Sequence, residues 1–583
     1  MTGRFTWLAA AAAALAFGAG AAHAECKLES KLDLPVTMSS FRPLVDAKLN
    51  GVPGQFIVDS GAFYSTLSPG MAGAIKVRLN PAPAWFRIEG IGGSTTAYYT
   101  TVKDLVLAGI PVHNIDFYVA GSDTGVAGLL GQNVLGFGDV EYDLPDGHIR
   151  LFKWRDCRNA MKAYWVNGGS YSLLKIDERS QSSPHTTATV SINGVSLHAL
   201  FDTGASSTTI SLRAAARLGI KPDSPGVRRA GYSGGLGRRV VEAWSVPVAT
   251  IKIGDEEIHN PRIMMHELGG DDTDMLIGAD FFISHRVYVD NESHRMFFTY
   301  TGGELFNQKA RGGENAPIAP PAVVGADEPR DADGFSRRGA VFASQNDLAR
   351  ALADFSRAIE LAPREPRYLV QRAQARLQNR QPFLALADLD KAVALDPSNV
   401  PALLDRAQLR IARGAREQAV PDLDAAARAV APTADERLRI GQLYSSAGAF
   451  GQAIGEFDLW MRVHTEDRRF PQALNGRCWA RAMTNEDLSK ALDDCNHALK
   501  LVSPNATFLD SRGLVRLRMG DWDRAIADYD AALKLQPKLA WSLYGRGIAK
   551  RHKGLVKEGD ADIAAATAIA PELADRAKKL GIS

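Results

Sequence analysis

Two aspartates stand in closely similar surroundings 143 residues apart. Asp59 follows Phe56-Ile57-Val58 and leads into Ser60-Gly61-Ala62, while Asp202 follows Ala199-Leu200-Phe201 and leads into Thr203-Gly204-Ala205. Each apolar run reads as a strand, and Gly61 and Gly204 permit the sharp turn that aims a carboxylate off the strand end. Two carboxylates held close together cannot both ionise, so they share one proton. The ionised member can take a proton from water while its protonated neighbour donates to a carbonyl oxygen. Asp59 and Asp202 are therefore the candidate catalytic pair, with a bound water as nucleophile.

The likeness runs wider than the motif. Asn50-Gly51-Val52 and Asn193-Gly194-Val195 stand at the same spacing before the two aspartates, and Leu129-Leu130-Gly131 is answered by Leu276-Ile277-Gly278. Val140 to Asp143 with Leu151-Phe152 is answered by Val287 to Asp290 with Phe297-Phe298. The offset creeps only from 143 to 147, so one small domain has been duplicated in tandem.

On these residues both copies resemble retropepsin-type aspartic protease domains, over about residues 34 to 300. The resemblance implies two all-β domains and peptide-bond hydrolysis by Asp59 and Asp202. It also implies that the Ser60 and Thr203 hydroxyls bond across the dyad to backbone and lock the two loops together. A family retropepsin is a homodimer with one Asp per subunit. With both copies on one chain, an intramolecular pseudo-dimer is the simplest assembly, and pairing of each copy with its twin in another molecule is the alternative. Ala62 and Ala205 stand where a serine could donate a hydrogen bond to each carboxylate; without it, the dyad is expected to work nearer neutral pH than in pepsin-like relatives.

A glycine-rich segment lies between each Asp loop and its hydrophobic-Gly strand. In the first copy it carries Gly90, Ile91, Gly92 and Gly93, and in the second Gly231, Gly234 and Gly235. Flanking residues alternate apolar and polar, so both segments read as hairpin tips. By position they resemble the flaps that close over an extended peptide. The plainer reading is two surface hairpins. A phosphate cradle is disfavoured because no Gly-x-x-x-x-Gly-Lys-Ser/Thr string accompanies them.

Arg4, an apolar run from Phe5 to Phe17 and Ala22-His23-Ala24 form a signal-peptide pattern over residues 1–24. It predicts a periplasmic or secreted protein with no membrane span once the signal is removed. Four cysteines fit an oxidising compartment, as the candidate pairs Cys26 with Cys157 and Cys478 with Cys495. No Cys-x-x-Cys or His-Glu-x-x-His string points to a metal.

Residues 25–157 and 158–300 are read as the two protease-like domains, and the Pro/Gly/Ala-rich stretch 301–333 as a linker. From residue 334 to 583 the pattern becomes helical with a period of 34: Ala351, Ala385, Ala419 and Ala453, then Ala491 and Ala525 after a four-residue insertion. That is the tetratricopeptide repeat length, giving six clear repeats, one divergent repeat and a capping helix from Pro571. Small residues twelve positions earlier let paired helices approach, and Trp479, the exception, is expected to distort its repeat. Asp354, Asp388, Asp422 and Asp528 recur with the period and are expected to be solvated or locally bonded. The array is expected to offer a concave face to a protein or peptide ligand.

The formal charge of +2, or +1 after subtracting Arg4, and the lack of a basic stripe interleaved with aromatics argue against nucleic acid. The sequence thus reads as an exported aspartic-type endopeptidase that takes polypeptide substrates and recruits them or partners through its repeats. A non-enzymatic scaffold that kept the protease fold is the alternative, and self-cleavage in the linker is a third possibility.

Overall fold

The computed structural model describes residues 26–306 and 329–582, apart from 84–85, 92, 122–124, 137, 159, 167–168, 180–183, 236, 238, 270–272 and 304. The signal segment and most of the linker lie outside the described residues, as does Gly92.

The duplicated half forms two β-rich lobes. In the first, strand Val52–Val58 runs parallel to Gly128–Leu130, and in the second Val195–Phe201 runs parallel to Met275–Ile277. Each Asp strand is thereby flanked by its hydrophobic-Gly strand, and Phe56, Val58, Leu130, Phe201 and Ile277 are buried. Apolar residues on both strands explain the burial, and short helices close each lobe: α1 (Pro69–Ala74), α2 (Gln132–Leu135), α3 (Leu212–Arg217) and α4 (Ala279–Phe282).

One sheet joins the lobes. Asp139–Asp143 of the first pairs antiparallel with His285–Asp290 of the second, in the register Val140 to Val289 and Tyr142 to Val287. These are the segments that the sequence repeat equates, so the duplication meets itself about a local pseudo-twofold. The seam is also polar: buried Lys162 donates to Asp139 and Asp290 at 2.9 Å each, and Arg286 donates to Glu141 at 2.7 Å.

Cys26 is bonded to Cys157 and Cys478 to Cys495. The first bridge spans 131 residues and ties the start of strand Lys27–Ser39 to the end of strand His148–Arg155. A closed loop of that length contributes about 5 kcal/mol in the chain-entropy model. The double variant Cys26→Ser/Cys157→Ser is therefore expected to lower the urea midpoint of the protease half; a stability change below about 1 kcal/mol would contradict that.

The C-terminal half contains fifteen helices among the described residues. Seven antiparallel pairs run from α5 (Ala332–Ser344) with α6 (Leu348–Leu361), α7 (Pro366–Gln378) with α8 (Pro382–Leu395), and α9 (Val400–Ala412) with α10 (Arg416–Ala429). They continue with α11 (Glu436–Ala447) and α12 (Phe450–Met461), α13 (Phe470–Thr484) and α14 (Leu488–Leu501), and α15 (Ala506–Arg518) and α16 (Trp522–Leu535). The last pair is α17 (Ala540–His552) with α18 (Val556–Ile569), followed by α19 (Leu573–Lys579). Among the described residues no helix is long and apolar enough to cross a membrane.

The array settles one point of the sequence reading and corrects another. Of the two alternatives for the periodic aspartates, solvation does not hold and local bonding does: they are buried, each taking a two-pronged bond from an arginine sixteen residues earlier, as Arg372 to Asp388 (2.9 and 2.7 Å) and Arg512 to Asp528 (2.9 and 2.7 Å). The same arginines reach the preceding repeat, as Arg406 to Asp390 at 3.1 Å and Arg546 to Asp530 at 2.7 Å. The ladder thus fixes both the helix pair and its stacking.

Trp479 is not the small-residue position. Arg477 pairs with Asp494, a separation of 17 rather than 16, because the α13–α14 turn carries an extra residue with Asn485 and Asp487 both at positive φ. Cys478 therefore takes the close-approach position, and Trp479 turns toward Trp541 with ring centroids 5.5 Å apart.

Odd-numbered helices α11, α13, α15 and α17 pack on one another and form the inner face. Its C-terminal end is filled by the chain itself. Arg518 on α15 donates to the Gly581 carbonyl at 2.9 Å, Tyr544 on α17 to the Ile582 carbonyl, and Ile582 is buried beside Trp479, Asp510 and Trp541. Asp510 is enclosed there with Ser542 donating to it, and burial pushes its carboxyl up to about 7.

A carboxyl whose folded pKa is raised stabilises the fold below its unfolded pKa and loses that contribution as pH rises through the folded value. From about 4 to about 7 is roughly three units, or about 4 kcal/mol lost by pH 8. Asp510→Asn is expected to raise Tm at pH 8 relative to the unsubstituted protein and to leave it nearly unchanged at pH 4; a shift equal at both pH values would refute this.

Candidate active site

The two Asp loops meet at the lobe interface, each built from a strand end. The Asp59 amide donates to the Leu130 carbonyl at 2.9 Å and the Asp202 amide to the Ile277 carbonyl at 2.8 Å, so the hydrophobic-Gly strand fixes where each loop leaves the sheet. Gly131 and Gly278 follow at once. A side chain at Gly131 would strike the Ala62 and Tyr64 carbonyls, and one at Gly278 the Ser207 and Ala205 carbonyls.

The hydroxyls cross between lobes. Ser60 Oγ donates to the Phe201 carbonyl at 2.8 Å and accepts from the Thr203 amide at 2.9 Å, while Thr203 Oγ1 donates to the Val58 carbonyl at 2.7 Å and accepts from the Ser60 amide at 3.1 Å. Both residues are buried, and a closed four-bond cradle of this kind leaves the loops little freedom to move apart.

On this cradle each carboxyl group lies over the opposite loop's glycine. A Cβ on Gly61 would come within 2.6 Å of both Asp202 carboxylate oxygens, and one on Gly204 within 2.6 Å of Asp59 Oδ1. The Gly61 amide donates to Asp59 at 2.9 Å, the Gly204 amide to Asp202 at 2.8 Å and the Ala205 amide to Asp202 at 3.1 Å. Ala62 and Ala205 offer these carboxylates no side-chain donor. Burial, and then the adjoining Asp202 carboxylate, push the Asp59 carboxyl well above the usual carboxylate range. The two carboxyl groups thus face each other across the paired loops.

The glycine-rich tips also converge. Hairpin Arg87–Gly90 with Gly93–Leu107 turns at Ile91, and hairpin Arg228–Ser233 with Val241–Pro247 turns through Gly234 and Gly235. Gly231 and Gly93 adopt positive φ, which favours glycine. The Gly235 amide donates to the Ile91 carbonyl at 3.1 Å, so the tips touch.

Several site residues escaped the sequence reading. Ser65 donates to Asn133 and accepts from the Gly131 amide, and Thr208 with Asp280 repeats that bracket around Gly278 in the second lobe. Gln132 donates to the Ser60 carbonyl at 2.7 Å, and Arg179 donates to Gln132. Burial lifts Asp280 to about 6. Arg42 lies in the field of Asp59, and His185, edge-on to Phe63 at 5.9 Å, in that of Asp202. Arg42 and His185 are themselves 143 residues apart, so carrying the repeat offset across every position would have found them.

Residues 45–136 match the family model of the gag-polyprotein putative aspartyl protease, residues 188–281 that of the aspartyl protease, and residues 506–539 that of the tetratricopeptide repeat. The chain carries two retropepsin-like aspartyl protease domains followed by a tetratricopeptide array. Among solved structures, a tetratricopeptide repeat protein from Parabacteroides merdae is similar, at 18% identity over 43% of this chain and 98% of that one, TM-score 0.34. The Cut9–Hcn1 hetero-tetramer of the APC/C is similar at 17% identity over 43% and 50%, TM-score 0.32, and Pseudomonas aeruginosa pilF at 17% over 36% and 94%, TM-score 0.30. No curated protein matches.

Proposed function

We propose that the protein is an exported aspartic-type endopeptidase in which Asp59 and Asp202 of one chain form a single dyad and the tetratricopeptide array recruits substrate or partner proteins. The observation that carries this reading is the reciprocal seating of each carboxyl on the opposite loop's glycine, inside a cradle that both lobes must build. A bound water would lose its proton to the ionised carboxylate while the other carboxyl protonates the scissile carbonyl oxygen. Flap backbone would pair with an extended polypeptide.

The reaction needs one proton on the pair. Because Asp59 is raised, that proton persists to higher pH, and activity is lost only as pH climbs through the raised value. Cleavage of a peptide library by the chain from Glu25, scanned from acid to neutral pH, tests the assignment. Cleavage with an alkaline limb above the ordinary carboxylate range supports it. A chain silent at every pH would favour the scaffold reading.

The signal pattern and the two disulfides support export. A partner on the array's inner face would meet helices α7, α9 and α11, away from the chain's own end and from α5, which packs on strand Lys27–Ser39.

A further inference from the structure

Beside α5, which packs on strand Lys27–Ser39 and whose C-cap Gln345 donates to the Ile283 carbonyl at 3.1 Å, the repeat array meets the protease half at two loops. In the α10–α11 loop, Thr433 Oγ1 donates to the Gly70 carbonyl of α1 at 3.1 Å and packs against Gly73. In the α12–α13 loop, Arg468 lies against the tip of the second flap, its Cζ 3.6 Å from where a Cβ on Gly234 would sit. The next residue of that tip, Gly235, makes the bond to Ile91 of the first flap. The two loops are tied together, because Arg469 donates through both Nη atoms to Asp435 and also to Asp467 at 2.8 Å. One of these loops therefore meets the first lobe and the other the second lobe's flap, and the Arg469 ion pairs join the two loops.

We propose that Arg468 is a positioning residue for the protease cleft: it holds the second flap's tip closed on the first, so that a substrate enters only when the α12–α13 loop withdraws. Arg468 also acts on Arg42: burial, and then the Arg468 guanidinium, lower Arg42 below the usual guanidinium range, and the Asp59 carboxylate opposes them. The arrangement restrains the enzyme without a separate inhibitory segment, and a ligand that changes the stacking of the repeats moves the loop carrying Arg468. The endopeptidase reading underlies only the cleavage part of the test below.

Hydrogen exchange of the mature full-length chain reads the latch without requiring activity. In Arg468→Ala, residues 228–241 are expected to exchange about tenfold faster, with α12 and α13 as protected as before. Arg468→Lys is expected to fall between the two, and Arg462→Ala, an exposed change in the same loop, to match the unsubstituted protein. Flap exchange unchanged by Arg468→Ala overturns the proposal. Should the substitution loosen α12 or α13, Arg468→Gln, which keeps the stem of the side chain and removes its charge, replaces it. It is expected to speed flap exchange as Arg468→Ala does, and flap exchange unchanged in a folded Arg468→Gln overturns the latch. In the cleavage arm, kcat/KM for an extended peptide rises about tenfold in Arg468→Ala through faster entry. Faster flap exchange with slower cleavage would show the array assisting rather than restraining, and would overturn the proposal. If no variant cleaves anything, the exchange result still decides the latch, and only the endopeptidase reading fails.

Discussion

Conversion of either Asp59 or Asp202 to asparagine is expected to lower kcat/KM for peptide cleavage by a factor on the order of 10³ or more. Asparagine keeps the shape of each side chain and the amide bonds from Gly61 and Gly204 have an oxygen to reach, so the fold should persist. What disappears is the shared proton, since an amide neither accepts water's proton nor passes one to a carbonyl oxygen. The two residues act as one unit, so the double variant should be no slower than either single variant. Equal thermal unfolding of all four proteins beside this pattern would establish one dyad per chain. Full activity in either single variant would break the single-cleft arrangement and favour separate pairing of each lobe with its twin in another molecule.

The second large effect is expected at glycine. Gly61→Ala and Gly204→Ala should each reduce cleavage nearly as far as loss of an aspartate, because the new methyl group would sit within 2.6 Å of the facing carboxylate's oxygens. Neither glycine has the positive φ that would strain an alanine backbone, so the cost falls on the position of the opposite carboxyl. A displacement of about 1 Å at a catalytic group can cost on the order of a hundredfold. Gly194→Ala is the matched control: it lies at φ +80° with open space around it, so alanine there costs about 1 kcal/mol of stability and leaves the dyad untouched. Activity that survives Gly61→Ala, or that falls equally in Gly194→Ala, would contradict the seating described above.

How much of this was legible in the chain varies with the range of the interaction. The Asp strands, their Leu/Ile-Gly partners, the glycine-rich tips and the 34-residue period are local strings repeated at fixed offsets, and a repeat exposes what one copy would hide. The retropepsin-like and tetratricopeptide architecture followed from them. Trp479 was misplaced because a one-residue lengthening of the α13–α14 turn shifts register without altering composition, and only the Arg477–Asp494 pair shows which residue moved. Whether the periodic aspartates are solvated or locally bonded stayed open in the sequence because their arginine partners sit on the preceding helix, a pairing that depends on how the two helices pack.

The sequence by itself determined the two carboxylates, the hydroxyls and glycines that surround them, and the division into a duplicated β half and a helical half, since each is encoded within a few tens of residues. Only the tertiary structure decided that the cross-lobe bonds implied for Ser60 and Thr203 end on the Phe201 and Val58 carbonyls, that Ile91 meets Gly235, and that Thr433 and Arg468 reach back to the protease half. Those contacts join residues from 141 to 363 positions apart, and contacts of such separation depend on the whole chain's packing, which no local pattern records.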